Sequence, residues 1–202
     1  RVEFDGEFAA GGGGFFDADL LRGSIDPELV ETNMCPSGWL PFAGADVGLK
    51  NDNSAIVIVH RSVTDPVVIR IASVLELKPK KNQPLSLAVV VGEFCRVAKM
   101  HGVATVTSDH HLMSEVQLHA APHGVRFVQA PGGAPAKAEQ HIRARDCMRA
   151  DTVRMPASFA RLREQLGRII STPQSGGSLK IWSPRSSSMG PRPKSPLPRT
   201  QR

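Results

Sequence analysis

The sequence predicts an α/β domain built on a mixed sheet, with its first three strands antiparallel and helices flanking it. Three observations carry this. First, a polar turn, Lys50-Asn51-Asp52-Asn53, joins a strand ending near residues 46–48 to the apolar run 55–59, AIVIV, as in a β-hairpin. Second, residues 67–77, VVIRIASVLEL, read as a third strand entered through the turn Thr64-Asp65-Pro66. Third, the apolar spacing becomes helical after residue 84 and then alternates with short β-branched runs. The predicted order is β-β-β-α-β-α-β-α-α-β.

Residues 1–43 read as a leader. Gly11 to Gly14 is a flexible joint, and no GxxxxGK[ST] pattern follows, so these glycines form no phosphate-binding P-loop. Residues 15–21 suit a short helix or an edge contact. Asp26-Pro27-Glu28 suits a helix start with proline at the first helical position. The run 55–59 is largely β-branched and suits a strand buried on both faces. Residues 78–84, KPKKNQP, form a basic loop. Residues 85–100 are predicted helical, with Leu87, Val90, Val91, Phe94, Val97 and Ala98 on one face and His101-Gly102 as the stop. A strand at 103–107, a helix at 112–120 and a strand at 125–128 follow. Residues 130–136, APGGAPA, are expected to be a loop, 137–150 a basic-faced helix, and 157–170 a helix with Phe159, Leu162, Leu166 and Ile169 on one stripe. Residues 172–177 read as a turn and 179–182 as a last short strand. The Ser/Pro/Arg-rich end, 183–202, has almost nothing to bury and is expected to be disordered. The domain division is therefore 1–40 leader, 41–182 folded body and 183–202 tail.

Charge is distributed unevenly. Residues 1–60 carry 10 Asp/Glu against 3 Lys/Arg, and residues 141–202 carry 3 against 13, within a net charge of +6. A basic end on a chain with acidic site candidates points to a polyanion partner; a solvated basic tail is the plain alternative. With no Tyr and few aromatics, stacking platforms for single-stranded nucleic acid are scarce. Cys35, Cys95 and Cys147 form no CxxC pair, so neither a zinc knuckle nor a disulfide framework is expected, and a reducing compartment suits them. No apolar stretch is long enough to span a membrane, and the start, RVEFDGEFAA, is not a signal peptide. It lacks an initiator methionine, so a fragment or processed piece is expected.

Two carboxylates stand out by position. Asp46 sits at the lip of the first strand, where burial is costly without a partner; a metal ion or a turn-capping hydrogen bond would supply one. Asp109 follows the strand 103–107 and precedes a helix, a usual site position in α/β architecture. In a ribonuclease-H-like fold the first and fourth strands are neighbours, so the two would converge. Paired carboxylates of this kind stay ionised with cations between them. They can hold two Mg²⁺ or Mn²⁺ ions about 4 Å apart for in-line attack of water on a phosphodiester.

The segments GADVGLKNDNSAIVIVHR, LELKP, TVTSDHHLMSEVQ, FVQAPGG and RMPAS…RLREQLGRIISTPQSGGSLKIWSPR, in this order, resemble the nuclease domain of the large terminase subunit of tailed bacteriophages and prophages. The resemblance covers roughly residues 40–185. It implies a ribonuclease-H-like fold and a divalent-metal-dependent endonuclease that cuts concatemeric double-stranded DNA during genome packaging. Asp46 and Asp109 would be its metal ligands. It further implies a terminase small subunit, a portal protein and a packaging ATPase as partners, work in the cytoplasm of a host bacterium, and a leader that joins the missing ATPase to the nuclease. Two departures stand out. No Walker A motif is present, and the third acidic ligand that the family supplies after the last strand has no counterpart, because residues 183–202 contain no Asp or Glu. That end reads as truncated or frame-shifted, and with fewer carboxylates the site would hold metal more weakly.

Other candidates keep two readings each. Asp52 is an auxiliary ligand or simply a turn residue. His110 and His111 orient the water or touch a phosphate, or they pack at a helix start. Glu76 is a substitute ligand or a solvent-facing strand residue. Arg143, Arg145, Arg149, Arg161, Arg163 and Arg168 track DNA phosphates or form a solvated helix face. The rival to the enzyme is a catalytically impaired remnant that keeps the fold and binds DNA or packaging partners without cutting. A sugar-kinase-like lobe shares the Asp-containing hairpin but would need a second phosphate-binding hairpin, which the sequence lacks.

Overall fold

The computed structural model describes residues 14–109, 112–173 and 179–182. The first two strands of the hairpin are β2 (Trp39–Asp46) and β3 (Ser54–Ser62), and the third is β4 (Ile69–Leu77). They pair antiparallel in the order β4-β3-β2, as the turn chemistry predicts. Next come α2 (Leu87–Met100), β5 (Thr105–Ser108), α3 (Met113–Ala120), a single 3-10 turn (Ala121–His123) and β6 (Arg126–Gln129). β5 joins β2 in parallel and β6 joins β5 in parallel. The first and fourth predicted strands are thus neighbours.

β3 explains the layering. Its alternate residues are fully buried on one side, Ile56 and Ile58 meeting Val90, Val91, Phe94 and Ala98 of α2 with Val116 of α3. On the other side Val57 and Val59 pack with Phe15, Phe16, Leu21, Met155 and Phe159. A five-residue apolar run therefore feeds two cores, each with its own helices. Both α2 and α3 serve the first core. The second is covered by α1 (Ala18–Gly23), α4 (Gly133–Arg149) and α5 (Ala160–Gly167).

Several elements differ from the sequence expectation. Asp26-Pro27-Glu28 starts no helix: the Asp26 carboxylate accepts from the Glu28 N–H at 3.0 Å, which makes a turn, and Ile25–Asp26 is a short strand, β1. A strand that the sequence reading missed, β7 (Val153–Pro156), lies between β1 and β4, parallel to both. The full order is β1-β7-β4-β3-β2-β5-β6. Residues 130–136 are not all loop, because α4 begins at Gly133. The helix expected over 157–170 is shorter, and its end enters β8 (Ile170–Pro173), which pairs antiparallel with β9 (Leu179–Trp182) where a turn from 172 was expected. The tail, 183–202, lies outside the described residues.

One buried polar pair ties α2 to the sheet. His60 of β3 and His101 just past α2 are 1% and 2% exposed, and their rings meet at 3.0 Å, Nε2 to Nδ1. A neutral pair satisfies this contact, one ring donating N–H and the other accepting. Burial, then the neighbouring His101 and Arg70, push the His60 pKa down from 6.5 to about 4. Burial also lowers that of His101. The unfolded chain thus binds a proton at mildly acidic pH that the folded chain refuses. Stability should be full above about pH 6.5 and fall as pH drops from 6.5 toward 4. Denaturant melts across that window should show this slope, and His60→Gln should flatten it.

Candidate metal and nucleic-acid site

The hairpin and the parallel strand together build a row of residues at one rim of the sheet. Asp46 ends β2 opposite Ala55 of β3, and Ala55 stands opposite Glu76 of β4. On the other side Ala45 pairs with Ser108, so Asp109 follows one step later, beside Asp46. Neighbouring strands lie about 4.8 Å apart and paired residues share a face. Asp109, Asp46, Ala55 and Glu76 therefore stand in line, and the small Ala55 side chain leaves space above the sheet.

Two clefts meet at Asp46. One, of about 460 Å³, is lined by Asp46, Asp109, Thr107, the segment 130–133, and Lys137 and Gln140 of α4. The other, of about 560 Å³, is lined by Asp46, Asp52, Asn53, Glu76 and, from α5, Arg161 and Gln165. Asp46 stays open to cleft solvent, but the protein packed around it strips part of its hydration. That burial raises its pKa, the Asp109 charge raises it further, and Asp52 adds to this. Lys137 and the Val47 N–H act in the opposite direction.

The loop carrying Asp52 is drawn tight at Gly48. Ser54 Oγ donates to the Gly48 carbonyl at 2.6 Å and accepts from its N–H at 3.2 Å. A Cβ on Gly48 would lie 2.5 Å from the Asp52 carbonyl oxygen and 2.7 Å from that of Asn53, so only glycine fits. This closeness folds the turn back over the rim and brings Asp52 within electrostatic reach of Asp46.

Glu76 shares the row but is already engaged. Arg161 grips it with two hydrogen bonds, 2.6 and 2.8 Å, Asn53 Nδ2 donates at 2.6 Å, and Lys78 stands 3.6 Å away. These contacts, led by Arg161, lower its pKa. Four of the other predicted arginines also have protein partners. Arg143 pairs with Glu139 and Arg168 with Glu164, both on exposed surface. Arg145 lies 4.3 Å over the Phe15 ring, and Arg163 caps the Pro156 and Ala157 carbonyls. His110 and His111 lie outside the described residues.

Among the described residues no group of three or more His, Cys, Asp or Glu side chains is arranged to hold a metal ion. Two carboxylates nonetheless fit a hard cation. Mg²⁺ is commonly held by one or two carboxylates with waters completing its shell, and the repulsion that raises the Asp46 pKa is what a cation would relieve. The sequence reading missed Lys137 and Gly48. Lys137 was read only as part of a basic helix face, and glycines at a turn are too common to single one out.

A mixed sheet with three antiparallel strands extended by parallel ones, and acidic residues on adjacent central strands, defines a ribonuclease-H-like α/β fold. In particular the chain has the fold of phage large terminase nuclease domains. It is similar to the HK97 bacteriophage large terminase, with 14% identity, a TM-score of 0.65, and coverage of 83% of this chain and 39% of that one. The large terminase nuclease from thermophilic phage G20c matches at 14% identity and TM-score 0.64, over 85% of this chain and 89% of that one. That nuclease has also been solved with bound magnesium and with bound cobalt. The P22 large terminase nuclease domain gives 14% identity and TM-score 0.59, covering 84% of each chain. The chain thus spans about two-fifths of the HK97 protein. No protein family and no curated protein matches the sequence.

Two outcomes test this geometry. Because folding raises the Asp46 pKa, the charged carboxylate costs stability above that pKa and the cost disappears as pH falls below the unfolded value of 3.8. Asp46→Asn should therefore raise the melting temperature of the metal-free protein at neutral pH, and the gain should vanish near pH 3. Gly48→Ala should cost about 1–3 kcal/mol, the usual penalty for forced overpacking, in a denaturant titration.

Proposed function

We propose that this chain is the nuclease domain of a phage or prophage large terminase, a divalent-metal-dependent DNA endonuclease that cuts concatemeric viral DNA during packaging. The observation that carries this reading is the placement of Asp46 and Asp109 at the ends of neighbouring strands, one step past the Ala45–Ser108 pairing, in this fold. Asp46 and Asp109 are the metal ligands, for Mg²⁺ or Mn²⁺ and two ions, with Asp52 assisting from the Gly48 loop. When bound, the ions lower the pKa of the attacking water and stabilise the leaving oxygen. Glu76 serves to hold Arg161 against the cleft wall, because its oxygens are already committed to that guanidinium.

Double-stranded DNA would be held mainly through its phosphates. Arg161 faces a cleft directly, while Arg143 and Arg168 sit in exposed pairs of little intrinsic strength and stay available to the backbone. Arg163 is given to phosphates on its exposed helix, and Arg145 to packing on Phe15 as much as to DNA. His110 or His111, beside Asp109 in the chain, orients the water or contacts a phosphate. The partners are those of a packaging machine, the small subunit, the portal protein and the packaging ATPase, in the host cytoplasm. No described helix is long and apolar enough to cross a membrane.

A second reading has its own observation. Residues 183–202 contain no Asp or Glu, so a third acidic ligand is missing from the segment after β9. On that reading the chain binds DNA or packaging partners without cutting. Incubation of supercoiled plasmid with the purified chain in Mn²⁺, Mg²⁺ or EDTA decides between the two. Nicking or linearisation is expected with either metal and not in EDTA. Asp46→Asn and Asp109→Asn should each lower the rate at least about 100-fold, equivalent to ~2.7 kcal/mol of transition-state stabilisation. A folded chain that binds DNA but never cuts it would establish the second reading.

A further inference from the structure

The cleft beside Asp46 and Asp109 contains one cationic side chain among its described lining residues, that of Lys137. It comes from α4, whose first residues, with the segment 130–133, form the cleft wall. The side chain is exposed, and no ion pair among the described residues uses it. Arg143, Arg161 and Arg168 differ in this respect, each being held by a glutamate. Lys137 thus lines the same cleft as Asp46 and Asp109 and lies within electrostatic reach of Asp46.

We propose that Lys137 is the site's own counter-cation, balancing Asp46 and Asp109 while no divalent ion is present and turning to a phosphate oxygen of the DNA strand once one is bound. This rests on the nuclease reading above and adds a positioning residue to it. The physical argument is competition. A lysine ammonium and a divalent cation both stabilise the same carboxylate charge and repel one another. Metal in the cleft makes that place unfavourable for the ammonium, and a four-carbon stem with three rotatable donors lets it swing to the nearest anion. On a loaded site carrying substrate, that anion is the phosphodiester. The affinity consequence has an unusual sign, because removing a residue of the site strengthens metal binding.

The test uses the full chain with Lys137→Met and Lys137→Arg. Metal affinity is read without DNA, from the Mg²⁺ and Mn²⁺ dependence of the melting temperature. DNA affinity is read on a short duplex in Ca²⁺ across a salt series. Lys137→Met should bind metal about 3–10-fold more tightly, as loss of one nearby positive charge implies. It should also bind DNA more weakly, with the salt slope reduced by about 1. Lys137→Arg should stay near the wild type in both. Unchanged or weaker metal binding by Lys137→Met overturns the counter-cation role. An unchanged DNA affinity and salt slope overturns the phosphate role. A wild-type chain that binds neither metal nor DNA overturns the nuclease reading itself, whereas one that binds both, with Lys137→Met indistinguishable from it, overturns only the role of Lys137.

Discussion

β3 packs against a separate core on each face, and the site depends on that. Its Ile56 and Ile58 are locked into the α2–α3 core, and its Val57 and Val59 into the core built by α1, α4 and α5. A one-residue slip of β3 against β2 would exchange the two sets and disrupt both cores at once. The register is therefore fixed from two sides. That register sets Asp46 opposite Ala55 and Ala55 opposite Glu76, so the line of acidic residues at the rim follows directly from hydrophobic packing along the same strand. The same sheet brings β5 alongside β2, which adds Asp109 to the line.

The electrostatics of the rim work against the fold. Asp109 and Asp52 add negative charge beside Asp46, whose own solvation the surrounding protein limits, and its raised pKa records both effects. On the opposite flank the same kind of charge is settled, because Glu76 is held by Arg161, Asn53 and Lys78 and its pKa is lowered. Two carboxylates in one row, two positions apart, thus have opposite characters. The unsettled one is the ligand that the proposed function assigns to a cation; the settled one fixes an arginine in place.

Much of this was legible in the sequence, for physical reasons. The hairpin could be read because a polar turn followed by a β-branched run is a local signal, and the placement of Asp46 and Asp109 at neighbouring strand ends could be read because both sit where a strand gives way to a turn. β7 could not be read. Its four residues, VRMP, carry no period, and they become a strand only through parallel pairing with β4 and β1, more than 70 residues away in each case. The commitment of Glu76 to Arg161 was equally hidden, since it joins β4 to α5 across 85 residues. Lys137 was hidden because a single lysine in an exposed helix is indistinguishable, in sequence, from a solvated one.

The packing of the early segment follows the same logic. Phe15, Phe16 and Leu21 are buried against Met155 and Phe159, and the Phe15 N–H donates to the Ile169 carbonyl at 2.7 Å. Arg145 of α4 lies over the Phe15 ring. These contacts hold α4 and α5 from behind, while Lys137 and Arg161 of the same two helices face the clefts on either side of Asp46. The apolar residues near the start of the described chain therefore steady the two helices that carry the site's cations. A cavity made at Phe16 would reach the site by loosening α4 and α5 rather than by touching any carboxylate.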